Sequence, residues 1–161
     1  LPQDHPAAEP WLEHGWPAHL QILLDSYCQL LGDQLVPRSG SAEEDARRVF
    51  EAPFVVVSHT ASRDPILNFG NQAALRLWKI DVETLLQTPS RMTAEPMHRD
   101  ERAQLLERTT RDGYVDDYQG IRIATTGRRF RIEKAIVWNL RDAAGTYVGQ
   151  AATFDQWTFL D

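Results

Sequence analysis

Five histidines, one cysteine and a scatter of arginines and carboxylates are the groups in this chain equipped for chemistry, and their spacing excludes most joint roles. His5, His14, His19, His59 and His98 never fall at the short intervals that set several ligands around one metal ion. Cys28 stands alone, so no disulfide closes within the chain, and its place beside a leucine stripe reads as packing. Asp116 and Asp117 are adjacent, but neighbours on a strand point to opposite faces and cannot serve one substrate as acid and base. One polar tip of the Asp117-Tyr118 pair can still reach an interior. Glu133 lies between arginines and is expected to pair with Arg122 or Arg131. There is no GxGxxG, no phosphate-cradling loop and no Gly-x-Ser-x-Gly turn. No catalytic residue is assigned. For an anionic ligand the first candidate is Arg91, because a guanidinium matches a carboxylate fork; its competing role is to cap its own loop.

The elements that must position these groups follow from periodicity and punctuation. Pro2, Pro6, Pro10 and Pro17 make residues 1–17 a proline-rich arm, and Trp11 and Trp16 suggest that it docks on its own domain or on a partner. Residues 18–32 read as an amphipathic helix. Its stripe of Leu20, Leu23, Leu24, Tyr27, Leu30 and Leu31 must pack on the chain's own sheet or on a second copy, hence an expected homodimer through 18–32. Residues 33–53 form a connector whose stretch 42–51 has helical character. Within it, Leu35-Val36-Pro37-Arg38-Ser39-Gly40-Ser41 resembles a thrombin cleavage sequence, yet it lies between structured segments. A core over 54–157 follows. It has strands at 54–59 and 66–69, a helix at 72–78 capped by Asn71, and a helical turn at 81–86. After an ordered loop at 88–98 comes a helix at 100–112. Strands at 115–124, 128–140 and 147–154 are joined by glycine-containing turns, which predicts an antiparallel meander.

At 161 residues the chain fits one domain, and 42% hydrophobic residues supply a core without disulfide or metal staples. A net charge of -6 argues against a nucleic-acid surface. No apolar run approaches the roughly 18 residues of a membrane span, and no signal peptide is visible, so a cytoplasmic location is expected.

The order of elements resembles that of a PAS domain. Asp64-Pro-Ile-Leu-Asn-Phe-Gly-Asn71 leading into Gln72-Ala-Ala-Leu-Arg-Leu-Trp78 looks like the strand-to-helix step of that fold. Three further segments sharpen the likeness: Pro89-Ser-Arg-Met-Thr-Ala-Glu-Pro96, Asp117-Tyr-Gln-Gly-Ile-Arg-Ile123 and Gly127-Arg-Arg-Phe-Arg-Ile-Glu133. So do Ala135-Ile-Val-Trp-Asn139 and Gly149-Gln-Ala-Ala-Thr-Phe154. Together they resemble the MEKHLA domain, a PAS-related family found in stand-alone bacterial proteins and at the C-terminus of plant homeodomain–leucine zipper factors. The likeness runs over about residues 16–157. The letters that name the family are absent here, and no homeodomain or zipper heptads accompany them, so the plant DNA-binding role does not carry over.

The resemblance implies an α+β, PAS-like five-stranded antiparallel sheet roofed by short helices, with the amphipathic helix at its N-terminus. Such a domain is expected to act as a sensory or ligand-binding module for a small metabolite or a protein partner, without catalysis. The alternative is a small enzyme of isomerase, hydrolase or oxygenase type using the same cavity, with His59 and a nearby acid. No cofactor is required: His59 is misplaced for a haem ligand, and no cysteine follows Asn71 for photoreceptor-type flavin chemistry. On the long strand, Phe130, Ile132, Ile136, Trp138 and Leu140 alternate onto one face, interrupted by Lys134. That face is taken as the cavity lining, with the reverse open. The expected ligand contacts are Asn68, Phe69, Asn71, Trp78, Arg91, Tyr118, Ile132 and Trp138, suited to a small aromatic or carboxylate metabolite.

Overall fold

A computed structural model describes residues 9–160; Pro2, His5 and Pro6 of the expected arm lie outside them. The elements, in chain order, are α1 (Trp16–Leu31), α2 (Ala42–Phe50), β1 (Val55–Thr60), β2 (Leu67–Gly70), α3 (Gln72–Trp78), α4 (Val82–Leu85), α5 (Arg99–Asp112), β3 (Tyr114–Ile123), β4 (Arg129–Arg141), β5 (Tyr147–Phe154) and β6 (Gln156–Phe159). The strands pair antiparallel in the order β2-β1-β5-β4-β3, and β6 adds to the first half of β4. This is an α+β domain built on one antiparallel sheet, with helices over both faces.

α1 begins earlier than its leucine periodicity implies. Pro17 starts the helix rather than closing the arm, because a proline in the first turn forfeits no helical hydrogen bond. Gly32 ends it at φ 76°, with its N–H on the Cys28 carbonyl. α2 is fixed by the Ser41 cap on the Glu44 N–H, by acids in its first turn and by arginines in its last.

α1 and α2 cover one face of the sheet and fill it completely. Leu20, Leu23 and Leu24 are wholly buried there with Val49, Phe69, Trp138 and Leu140. The Trp138 indole N–H donates to the Leu23 carbonyl, and Tyr27 meets its ring edge-on at 5.0 Å. Trp16 stacks edge-on to Phe69 at 4.6 Å, while Trp11 lies against Phe50, so both tryptophans dock on their own domain. The leucine stripe is therefore covered by the chain's own sheet. The homodimer expected through residues 18–32 loses the exposed stripe on which it rested.

The connector is equally tied in. Arg38 reaches Asp45, Asp25 and Gln21, and Asp45 also accepts from the Ser39 N–H and hydroxyl. Burial raises the Asp45 carboxyl, but hydrogen bonds from Gln21, Ser39 and Arg38 outweigh it and hold the group well below the usual carboxylate range.

The other face carries α3, α4 and α5. They close over a second cluster of Val55, Leu77, Trp78, Leu105, Phe130, Ile132, Val137 and Phe154, which is not filled. The 88–98 loop folds into two short 3-10 turns, Ser90–Thr93 and Pro96–His98, which complete this roof.

Candidate functional site

The site is the void left between the roof and the sheet, a cavity of about 510 Å³. Alternation decides its floor. Val57 and His59 of β1 face inward, as do Tyr118 and Arg122 of β3, Ile132, Ala135 and Val137 of β4, and Gln150, Ala152 and Phe154 of β5. The roof is Trp78 from α3, Leu85 from α4, Ser90 from the loop, and Arg102, Leu105 and Leu106 from α5. Burial at 102, 105 and 109 marks the inward stripe of α5.

A bulge on β4 sets which side chains of that strand face the void. Lys134 has φ 52°, and the register between β3 and β4 slips by one residue there: Tyr118 faces Ala135 while Gly120 faces Ile132. The slip moves the second half of the strand to the opposite parity. Phe130 and Ile132 stay on the cavity side and are joined by Ala135 and Val137, while Ile136, Trp138 and Leu140 turn under α1. Strict alternation put Trp138 in the cavity; the bulge puts it in the packed layer.

A second slip, between Val115 and Tyr118, falls on Asp116-Asp117, and both side chains are solvent-exposed; Asp117 meets Arg108 at 3.5 Å. Glu133 accepts from Thr158 of β6, a strand too short to be read from periodicity, and not from Arg122 or Arg131.

Of the expected contacts, Trp78, Tyr118 and Ile132 line the cavity. Asn68, Phe69 and Asn71 instead form a joint on the packed side. The Asn68 carbonyl accepts the Trp16 indole N–H at 2.9 Å, and its side-chain oxygen accepts the Ser58 hydroxyl. With that hydrogen committed, Ser58 Oγ accepts from His19 Nε2 at 2.9 Å. Burial holds the His19 imidazole down at about 4. Asn71, fully buried, caps α3 on the Ala74 N–H, accepts from Val56 N–H and donates to the Val49 and Phe54 carbonyls. Between them Gly70 leaves room for Leu85, whose methyl would lie 2.7 Å from an added Cβ. Arg91 points away from the void, to Asp64 at 3.2 Å across an exposed surface. It ties the roof loop to the β1–β2 turn.

Two charged groups that face the void, Arg102 and Arg122, were not among the expected ligand contacts. Arg102 is 7% exposed and donates to the Ser90 hydroxyl; Arg122 is 6% exposed and donates to the Ile121 carbonyl at 2.9 Å. Neither has a carboxylate within 4.0 Å among the described residues, and no aspartate or glutamate lines the cavity. Burial draws the Arg102 guanidinium down to about 10, and the charge of Arg122 adds to it. The Arg122 guanidinium sits 5.4 Å from the centre of the Tyr118 ring, whose hydroxyl donates to Glu101. That phenol crosses Gly120, where any side chain would collide with it.

His59 is 8% exposed, with Nδ1 at 2.9 Å from the Thr60 carbonyl. A carbonyl only accepts, so Nδ1 carries the proton and Nε2 presents a bare lone pair. That Nε2 and the Trp78 indole N–H are buried without partners. Burial holds the His59 imidazole down at about 4; the Thr60 bond opposes this and the Arg102 charge reinforces it.

Among the described residues no three His, Cys, Asp or Glu side chains gather where they could hold a metal ion, and no helix is long and apolar enough to cross a membrane.

A twisted antiparallel sheet in this strand order, roofed by short helices over an internal void, defines a domain of the PAS class. Solved structures agree on the fold. A PAS domain from Colwellia psychrerythraea superposes with a TM-score of 0.61 at 13% identity, over 73% of this chain and 95% of its own. A light-oxygen-voltage domain studied with a flavin analogue gives 0.57 at 14%, over 72% and 84%. An RNA-binding light-oxygen-voltage receptor gives 0.62 at 17%, over 78% of this chain and 36% of the receptor. No curated protein matches the chain in sequence. The family model of the MEKHLA domain matches residues 17–159, and the chain belongs to that family.

Proposed function

We propose that the protein is a sensory module that takes a small metabolite into the cavity between α3–α5 and the sheet. The observation that carries this reading is the contrast within one domain: one face of the sheet is filled, while the other keeps about 510 Å³ open. Protein interiors pack as densely as organic crystals, so a void of that size costs stability and calls for an occupant. It also falls in the range of small-molecule pockets. A domain studied with a flavin analogue shares this fold, which is in keeping with a ligand-binding reading.

The enzyme reading has less support, because it needs a titratable pair around His59. The ionisable neighbour acting on His59 is Arg102, a cation, and no acid lines the void. Small molecules released by denaturing purified protein, identified by mass spectrometry, test the proposal against an Ala152→Phe variant that fills the void. The expected result is a ligand released from the parent and missing from the variant. Equal retention by the filled variant would sink it.

A further inference from the structure

We propose that the Arg102–Arg122 end of the cavity is a carboxylate site, and that its ligand is a small hydrophobic acid also carrying a hydroxyl or N–H donor directed at His59. This rests on the cavity being a ligand site and adds the chemistry of its occupant.

The charge pattern is the first support. The chain as a whole is acidic, with 23 aspartates and glutamates against 17 lysines and arginines. The cavity between the roof and the sheet nevertheless carries two guanidinium groups and no carboxylate among its lining residues. Buried charges in proteins are paired or coordinated, because an isolated one is strongly destabilising. Arg102 donates to Ser90, and Arg122 shares its guanidinium between the Ile121 carbonyl and the Tyr118 phenol, so neither planar fork is matched by an anion. A carboxylate matches that fork in charge and shape. A phosphate would fit the same fork, and the apolar walls around the two arginines favour the less strongly charged and less hydrated carboxylate, a choice the probe series decides.

The second support is independent of charge. The tautomer fixed by Thr60 leaves His59 Nε2 as a buried acceptor with nothing to accept, so a ligand donor would complete it. The Trp78 indole N–H is a buried donor in the same condition, available to a second acceptor on the ligand. Between these points the walls are Leu105, Val137 and Phe154, suited to a ring system.

The test uses the full chain and a matched set of probes: 6-hydroxy-2-naphthoate, its neutral carboxamide, 2-naphthoate and 2-naphthyl phosphate, titrated by calorimetry. The hydroxy acid should bind at least about tenfold more tightly than the carboxamide. Arg102→Met and Arg122→Met should each abolish that preference while leaving carboxamide affinity within about threefold. His59→Phe should abolish the preference for the hydroxy acid over 2-naphthoate. Equal binding of acid and carboxamide would overturn the carboxylate site but leave the cavity as a ligand site. Tighter binding of the phosphate would also overturn the carboxylate assignment. Binding by none of the four probes would overturn the proposal together with the ligand-site reading beneath it. Thermal melting of the ligand-free variants separates structure from binding. An arginine retained for a ligand should be replaceable by methionine with an unchanged or higher melting temperature, and a drop of more than about 5 °C in both variants would mark structural residues and overturn the proposal.

Discussion

The two faces of this sheet share the same strands and differ in what covers them. Beneath α1 and α2 the layer is dry, aromatic and complete: Trp16, Phe69 and Trp138 are at most 1% exposed, and their polar atoms find backbone partners. Beneath α3–α5 the layer is hollow: His59 Nε2 and the Trp78 indole N–H stand unpaired, and two arginines share the void as like charges. The first face has the character of a scaffold and the second that of a site. Stability and binding should therefore respond to mutations on opposite sides.

The largest difference is expected for truncation. Trp138→Ala removes a fully buried indole together with its contact to Tyr27 and its bond to Leu23, and should cost about 3–5 kcal/mol. Ile132→Ala, two residues before the bulged Lys134 and facing an existing void, should fall at the low end of core substitutions, about 2 kcal/mol, because little additional surface loses its contacts. Urea denaturation of the two variants measures both. Equal losses would mean that the two layers are packed alike.

This contrast was only half legible in the sequence. Asn71 as a helix cap, the glycine-bearing hairpin turns and the leucine stripe of α1 each have a local physical cause, so the order of elements could be read directly. The function of the 68–71 segment could not. Asn68, Phe69 and Asn71 are polar and aromatic in a pattern that suits a ligand, but each is used up by a partner at least ten residues away. Trp138 changed faces because one residue, Lys134, adopts φ 52°. The interruption of an apolar face by lysine was the available sign of a bulge, since a slip by one reverses every later side chain. Arg102 and Arg122 were missed because charge in a sequence suggests solvent. Position says otherwise: Arg102 stands three and four residues before Leu105 and Leu106, and Arg122 alternates with Tyr118.

A smaller, pH-dependent effect samples both faces together. His19 on the packed side and His59 on the hollow side are each held at about 4, against an ordinary value of 6.5. The unfolded chain therefore binds protons at these sites before the folded one does. Their contribution is complete above pH 6.5 and is lost as pH falls through 4, with a slope of at most about 1.4 kcal/mol per pH unit for each histidine. Midpoints of urea unfolding between pH 7 and pH 4 should fall, and His19→Gln or His59→Gln should flatten the curve. The two variants should flatten it about equally, because both rings are held at about 4. A parent curve with no slope in this window would contradict the burial assigned to both rings.

The finest test compares two neighbours on one strand. Ala151 of β5 sits between Trp138 and Ser58 in the filled layer and only borders the cavity, whereas the half-buried Ala152 beside it, between Val57 and Val137, faces the void. The strand and the residue type are matched, so the difference between enlarging each reports chiefly the space in front of the side chain. Ala151→Leu must displace close-packed rings and should cost about 1–3 kcal/mol. Ala152→Leu extends into empty volume and should change stability by no more than about 0.5 kcal/mol in either direction. In the ligand competition the order reverses: Ala152→Leu should weaken binding of the naphthoate probes, and Ala151→Leu should leave it unchanged wherever the protein remains folded. If both leucines destabilise equally, the void closes in solution, and the hollow face is a second packed core.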